Sequence, residues 1–501
     1  MRFDKKLFDF CEKDFSFSSD PVSGSPSLFS TLQTHFTDCA DFSFQPIDAS
    51  FGALRLCWME GLASSEQIGD LLIRPLQENE TLLSSPSPAD FFSLAATGGV
   101  FAVSPERSTD AEELSVALLA GRAVLLCGSE GLSFDVRGQD RRSVGEPKLE
   151  RSVLGPRDAF TETYRVNTAL VRQRLRSSRL KIAELTVGRC SATRVGILYI
   201  DGIVRPAAVE ALRTRLEALD IDGVTALGDL EACLAPRPRG AFPQFLCTER
   251  PDRLARFLLQ GRVGILCDGL PLALAAPCTL PELLRVAEDR AQHAFAASAL
   301  LLLRYAALLL SLLLPALYTA VAMYHPEMIP IELLQSIIAA KQYVPFSTAA
   351  EMLGMLAAFG LLQEAGLRLP EEAGTAVSII GTLIVGQSAV EAQVVSPIAV
   401  IVVALSGIAG YTLPSQQLGA ALRLWRFVLV LCAVAMGMFG LMAGGIVLLW
   451  RLCAMEFAGV SYLYPLTDGE RHPLLRGLLH VPLSRDLTRD AALTDNLRRQ
   501  A

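Results

Sequence analysis

Gln387 and Glu391 stand four residues apart inside an apolar stretch, residues 377–411, whose middle is also interrupted by Gln393 and Pro397. That spacing puts an amide and a carboxylate on one helix face. An ionisable group among membrane-type residues is costly, so it faces a protein interior or a water-filled path. Two chemistries fit. If copies of this helix surround an axis, Glu391 makes a carboxylate ring that attracts cations; otherwise the pair is a polar staple between packed helices. Gln387, Glu391 and Pro397, with Glu364 near the end of the apolar segment 352–365, are the pore or gating candidates.

Catalysis finds no comparable constellation. The five histidines, His35, His293, His325, His472 and His480, sit beside no Ser or Cys nucleophile motif. No GxxxxGK[ST], no helix-opening GxGxxG and no CxxC occurs, so neither an enzyme nor a metal or cofactor site is expected. A net charge of -7 argues against a nucleic-acid partner. The 11 cysteines are scattered, and Cys127, Cys190, Cys233, Cys247 and Cys267 read as buried free thiols in a reducing compartment.

The elements that position these residues fall into two halves. Of the 501 residues 51 % are hydrophobic, and the apolar excess lies after about Ala297. The expected fold is an α/β soluble half, built as a duplicated α/β subdomain, followed by an α-helical polytopic membrane domain. Residues 1–45 read as a loosely ordered arm and 46–142 as the first α/β subdomain. Residues 143–190 read as a basic helical linker, 191–280 as the second subdomain, 281–466 as the membrane domain and 467–501 as a basic tail. The duplication shows in two pairs of segments. One pairs the segment from Ala53 with that from Val195; the other pairs LLAGRAVLLC from Leu118 with LLQGRVGILC from Leu258. The Gly-Arg before each short strand is explained by a helix C-terminus, where Gly accepts the left-handed conformation.

In the membrane half, residues 300–324 are long enough to span, with Arg304 snorkelling toward the N-terminal side and Pro315 expected to kink the helix. Residues 352–365 suit an interfacial or re-entrant helix, and 377–411 splits near Val395 into two half-length helices. Residues 427–450 carry no charge and read as one span. The arginine-rich tail places the C-terminus in the cytoplasm with the N-terminus, giving about four crossings and putting Arg423 and Arg426 on the outer side.

The arginines of residues 146–188 admit a phosphate or anion site, a basic face against headgroups, or a solvated face paired with Glu162 and Glu184. Thr248–Asp252 reads either as an inter-subunit or ligand-transmitting loop or as a helix start with Pro251 in the first turn. Several strings taken in order resemble the A-subunit family of bacterial spore germination proteins, the GerA family, which includes stage V sporulation protein AF. They are Glu146-Pro147; Gly155-Pro156-Arg157 with Phe160 and Glu162; Asn167 before Arg172 and Arg174; Phe242-Pro243-Gln244; Thr248-Glu249-Arg250-Pro251-Asp252; Val344-Pro345-Phe346; Glu364 to Pro370; and Gly386 to Ala392 before Ser396-Pro397. The chain departs from the family pattern at Leu154, where Arg is usual. It departs again at Gly360–Ala365, which lacks the first acid and the Arg of Glu-Leu-Leu-Arg-Glu-Ala.

The resemblance implies a multi-pass subunit of the inner spore membrane with its soluble half and tail on the core side. It also implies homo-oligomeric rings, pentamers in the family, around a pore for monovalent ions. The implied partners are the lipid bilayer and either a transporter-like B subunit with a lipoprotein C subunit or another small membrane protein. The residues assigned to inter-subunit contact or signal transmission are Glu146, Pro147, Gly155, Pro156, Phe160, Glu162, Asn167, Arg172, Arg174, Thr248, Glu249, Arg250 and Pro251. A secondary transporter or accessory subunit, or a membrane-anchored scaffold that amplifies another receptor's signal, is the alternative.

Overall fold

The computed structural model describes residues 27–49, 52–79, 82, 84–100, 103–138, 145–150, 152, 155–236, 240–368, 386–467, 471–482 and 486–499. Residues 1–26 of the expected arm, Leu369-Pro370 and residues 377–385 lie outside them.

The first unit runs α1 (Leu28–His35), β1 (Phe42–Ala49), β2 (Gly52–Met59), β3 (Val103–Ser108), α2 (Ala111–Leu119), β4 (Arg122–Cys127) and β5 (Glu130–Asp135), with shorter helical turns between β2 and β3. The second runs α3 (Tyr164–Arg174), β6 (Leu180–Val187), β7 (Thr193–Ile200), α4 (Pro206–Glu217), α5 (Leu227–Leu234), β8 (Leu246–Thr248), α6 (Pro251–Leu259), β9 (Val263–Cys267) and β10 (Ala273–Ala276). Each forms a five-stranded sheet, in the orders β1-β2-β4-β5-β3 and β6-β7-β9-β10-β8, which are the same topology. The two apolar strands after Gly-Arg, β4 and β9, are the central strands, which explains their unbroken hydrophobic runs. Apolar layers cover both faces of each sheet. Gly121 and Gly261 adopt φ 86° and 93° just past α2 and α6, as a helix-terminating Gly should.

Two boundaries differ from the sequence expectation. Residues 28–45 contribute α1 and the start of edge strand β1, and β6 lies inside the expected basic linker. Both are short pieces with little periodicity of their own, and tertiary pairing fixes them. Ala40 N–H donates to Ile182 O at 3.0 Å and Ile182 N–H donates to Asp38 O at 3.0 Å, so the arm extends the second sheet before entering the first. Cys127 and Cys267 are buried and Cys247 is half-buried, but Cys190 and Cys233 are exposed. Cys190 sits in the turn between β6 and β7, and Cys233 on the outer face of α5, where a local apolar neighbourhood in sequence does not mean burial.

The helical half comprises α7 (Ala294–Tyr324), α8 (Ile331–Lys341), α9 (Thr348–Arg368), α10 (Pro397–Tyr411) and α11 (Gln416–Cys453), followed by tail helix α12 (Arg471–Leu478). The helix α7 is continuous through Pro315. Its Arg304 is not free to snorkel: it holds Asp289 in two hydrogen bonds of 2.6 and 2.9 Å. At 21 residues, α9 is longer than the expected interfacial helix. It begins before Glu351, a carboxylate that is 2 % exposed, lies 3.6 Å from Lys341 Nζ and accepts from Ser396 N–H. Pairing with Lys341 and the Ser396 N–H brings that acid inside the helix's packed face.

The helix α11 reverses at Gly437, whose φ of 62° and ψ of -137° are not helical. A Cβ built on Gly444 falls 3.5 Å from Cys432 Cβ and 2.9 Å from Leu429 Cδ2. In a straight helix residues twelve apart would be about 18 Å apart. The expected single span over 427–450 is therefore two antiparallel legs. The first starts beside the α/β half, where Gln417 meets Glu231 at 2.9 Å and the Trp425 ring stacks 6.5 Å from Phe242. The second ends there too, with Tyr462 packed on the same Phe242. This hairpin places Arg423 and Arg426 in the leg that starts beside the α/β half. Leu303, Leu309, Phe439, Ile446 and Trp450 on α7 and α11 are 54–70 % exposed. An outward apolar belt of this extent suits a bilayer or a partner protein, and α7 is long and apolar enough to cross a membrane.

Candidate functional site

The two halves share one hydrophobic core, which includes Phe242, Leu246, Leu283, Leu301, Trp425, Leu452 and Tyr462. Where they meet, a cavity of about 270 Å³ is lined by β8, the start of α5, residues 149–150 and the α10–α11 turn, Pro414 to Gln417. The strand β8 is short because the chain turns at Thr248 into α6, with Arg250 in the N-cap position and Pro251 in the first turn, where the missing N–H costs nothing. Glu249, 8 % exposed, accepts the N–H groups of Leu149 at 2.5 Å and Glu150 at 2.6 Å. Its own carbonyl accepts Phe160 N–H at 2.8 Å. Arg250 is 1 % exposed; it forks onto Asp252 at 3.0 Å for both bonds and reaches Glu150 O at 3.3 Å. Glu150 in turn accepts Thr248 Oγ1–H and pairs with Arg253. Burial, reinforced by Glu150, raises the Cys247 thiol to about 12, so it stays neutral here.

Of the residues singled out from sequence, Thr248, Glu249, Arg250, Pro251, Phe160 and Gly155 converge on this network. A Cβ on Gly155 would lie 3.4 Å from Arg250 Nη2. Pro147 is buried, whereas Glu146, Pro156 and Glu162 are exposed, Glu146 lying 3.8 Å from Arg157. Asn167 is fully buried and closes the Thr161 loop, accepting Thr161 N–H at 2.8 Å and donating to Thr161 O at 2.6 Å. Arg172, fully buried, forks onto Asp41 at 2.7 and 2.9 Å, tying α3 to the arm. Arg174 pairs with Asp158 at 2.6 Å, and Arg165 with Glu60 at 2.9 Å and Glu184 at 3.1 Å. Arg157, Arg165, Arg172 and Arg174 thus serve ion pairs within the chain.

Gln387, Glu391, Pro397 and Glu364 are not part of this site. Gln387 and Glu391 are exposed in the helical residues 386–391, and Glu364 is exposed on α9. Pro397 is exposed in the first turn of α10, after Ser396, whose Oγ caps Ala399 N–H at 3.3 Å. The helix α10 separates that end from the junction by about 22 Å. Sequence reasoning missed Glu150, Arg253, Glu231 and Gln417. It also missed Arg426, 4 % exposed, which hydrogen-bonds Ser311 of α7 and Ser406 O of α10. Only Arg426, a charge in an apolar run, carried a local signal.

Glu231 gives a pH test of the junction. Burial raises its carboxyl above the ordinary range, against hydrogen bonds from Gln417 and the backbone of Gln244 and Phe245. A raised folded pKa means that its stabilising contribution is full below the ordinary carboxylate value and is lost as pH rises through the raised one. Glu231→Gln is therefore expected to melt above the unsubstituted chain at about pH 8, with the gap closing toward about pH 4. A gap independent of pH would count against this assignment.

The family model for the Bacillus/Clostridium GerA spore germination protein matches residues 30–492. The chain is 36% identical to membrane protein YfkQ of Bacillus subtilis over 89% of its own length and 87% of that protein's. It is 34% identical to spore germination protein KA of the same organism over 86% and 78% of the two chains, and 32% identical to spore germination protein B1 over 89% and 92%. The crystal structure of the N-terminal domain of the A subunit of the Bacillus megaterium spore germinant receptor GerK3 aligns with 50% of this chain and 92% of that one, at 23% identity and a TM-score of 0.37. With a family model covering the two α/β units, the junction and the helical half alike, the chain belongs to the GerA family of spore germination proteins.

Proposed function

We propose that the chain is the membrane subunit of a spore germination receptor complex in the inner spore membrane. It assembles into a ring, a pentamer on family grounds, that forms or gates a pore for monovalent ions in response to nutrient. The carrying observation is the exposure of Gln387 and Glu391. Their turn lies along α10, a Cβ on Gly386 falling 3.7 Å from Val400 Cγ1, yet it leaves the carboxylate outside the protomer's interior. A carboxylate in membrane-type sequence needs water or a partner, and a ring of copies supplies both. The tail supports a core-side C-terminus and an even number of crossings, because it packs on the second α/β unit: Asn496 Nδ2–H donates to Gly202 O at 3.1 Å and Thr494 Oγ1–H to Ile203 O. A transporter-like B subunit and a lipoprotein C subunit complete the receptor in this reading.

The test is ion release from spores, or from vesicles carrying the assembled complex, with Glu391→Ala. Removing the ring charge is expected to slow cation release roughly tenfold or more. Release at the unsubstituted rate would leave the chain a scaffold and overturn the pore assignment.

A further inference from the structure

We propose that a cleft at the foot of α7 binds a phosphate-class oxyanion, either the headgroup of an anionic phospholipid or free phosphate. The cleft holds about 50 Å³ and is lined by Arg256, Arg285, Arg290, Arg476 and Arg499, brought together from α6, the segment before α7 and the C-terminal tail. A water needs roughly 10–15 Å³ by the same kind of measure, so the space admits a group of a few heavy atoms.

The charges there do not balance. Glu282 is shared by Arg256 at 2.6 Å, Arg285 at 3.4 Å and Arg262 at 3.8 Å. Asp486 is shared by Arg476 and Arg499, and Asp490 lies 3.4 Å from Arg476. Arg290 has no ion pair among the described residues. Five guanidinium groups therefore face three carboxylates, one of which is already divided with a sixth arginine. Burial, helped by Arg290 and Arg285 against Glu282, lowers Arg256 to about 9. Burial and the same two arginines also lower His480. Arg256 Nε–H and Arg285 Nε–H are buried with no acceptor among the described residues. An oxyanion supplies both the missing charge and the missing acceptors, and guanidinium geometry suits it.

Position favours a headgroup. The tail is stapled to α7 next to the cleft by His480 N–H to Ser298 Oγ at 3.0 Å and Tyr305 O–H to Gly477 O at 3.1 Å. The same stretch of α7 begins the apolar outer face, with Phe295 87% and Leu303 58% exposed. Basic pockets at such a boundary take lipid headgroups. This inference does not depend on the pore reading.

The experiment follows the thermal midpoint of the full chain in detergent. One arm titrates phosphatidylglycerol against phosphatidylcholine, and the other titrates sodium phosphate against sodium chloride at equal ionic strength. A rise in midpoint with phosphatidylglycerol alone identifies the headgroup; a rise with inorganic phosphate identifies a free oxyanion. Arg290→Gln, at the rim, is expected to raise the half-saturating concentration about tenfold while leaving the ligand-free midpoint in place. Arg189→Gln, an exposed arginine paired with Asp220 elsewhere, is expected to change nothing. No shift in either arm, or equal responses from the Arg290→Gln and unsubstituted chains, overturns the site. An equal loss from Arg189→Gln does so as well.

Discussion

Arg172→Ala is expected to destabilise the chain by about 3–5 kcal/mol, the usual cost of leaving one partner of a buried ion pair uncompensated. Arg172 and Asp41 are 0 % and 1 % exposed. The guanidinium also donates to Ser177 O at 3.1 Å, so truncation strips the buried carboxylate of both its charge partner and its two donors. The loss reaches beyond α3. Asp41 follows the Asp38–Ala40 segment that bonds to Ile182 of β6, and the pair thereby clamps the first α/β unit to the second. The check is the apparent thermal midpoint of the full chain in detergent. Replacing both residues with Leu is expected to recover much of the loss, since an apolar pair leaves no buried charge. Equal midpoints for Arg172→Ala and the unsubstituted chain would show that the pair does not hold the units together.

Gly444→Cys is expected to form a disulfide with Cys432 nearly quantitatively on mild oxidation. The Cβ positions are 3.5 Å apart, at the near end of disulfide geometry. Were α11 a single rod, the two would sit about 18 Å apart and could not react. Peptide mapping distinguishes the two outcomes. Gly437→Val in that background is expected to abolish the cross-link. The φ of 62° and ψ of -137° are closed to a β-branched residue, and a Cβ there would lie 2.9 Å from the Tyr324 ring carbon Cγ. A cross-link that survives Gly437→Val would mean that the reversal does not depend on this glycine's backbone conformation.

The two predictions separate what was legible in the residues from what was not. The repeated α/β order was readable because β4 and β9 are central strands, whose burial on both faces writes itself as RAVLLC and VGILC, each after a Gly that ends a helix. The apolar belt was readable because a bilayer demands uninterrupted hydrophobicity. The hairpin in α11 was not, since glycines at 437, 440, 444 and 445 fit close packing between spans as well as a reversal within one. The roles of Thr248 to Pro251 were half legible. Pro251 announced a helix start, but Glu249 accepts from Leu149 and Glu150 and Arg250 reaches Glu150 O, and a contact across a hundred residues leaves no local trace.

By itself the sequence determined the family, the two halves and the repeated strand order within the first, because periodicity, chain punctuation and ordered motifs are local properties. Tertiary structure alone decided that the arm belongs to both sheets and that Arg172 is spent on Asp41. It also decided that α11 doubles back and that five arginines from separate segments share one cleft at the foot of α7. The physical reason is common to all four. Charges and hydrogen-bonding groups must find partners when buried, and which partner each finds depends on which distant segments the folded chain brings within about 3 Å.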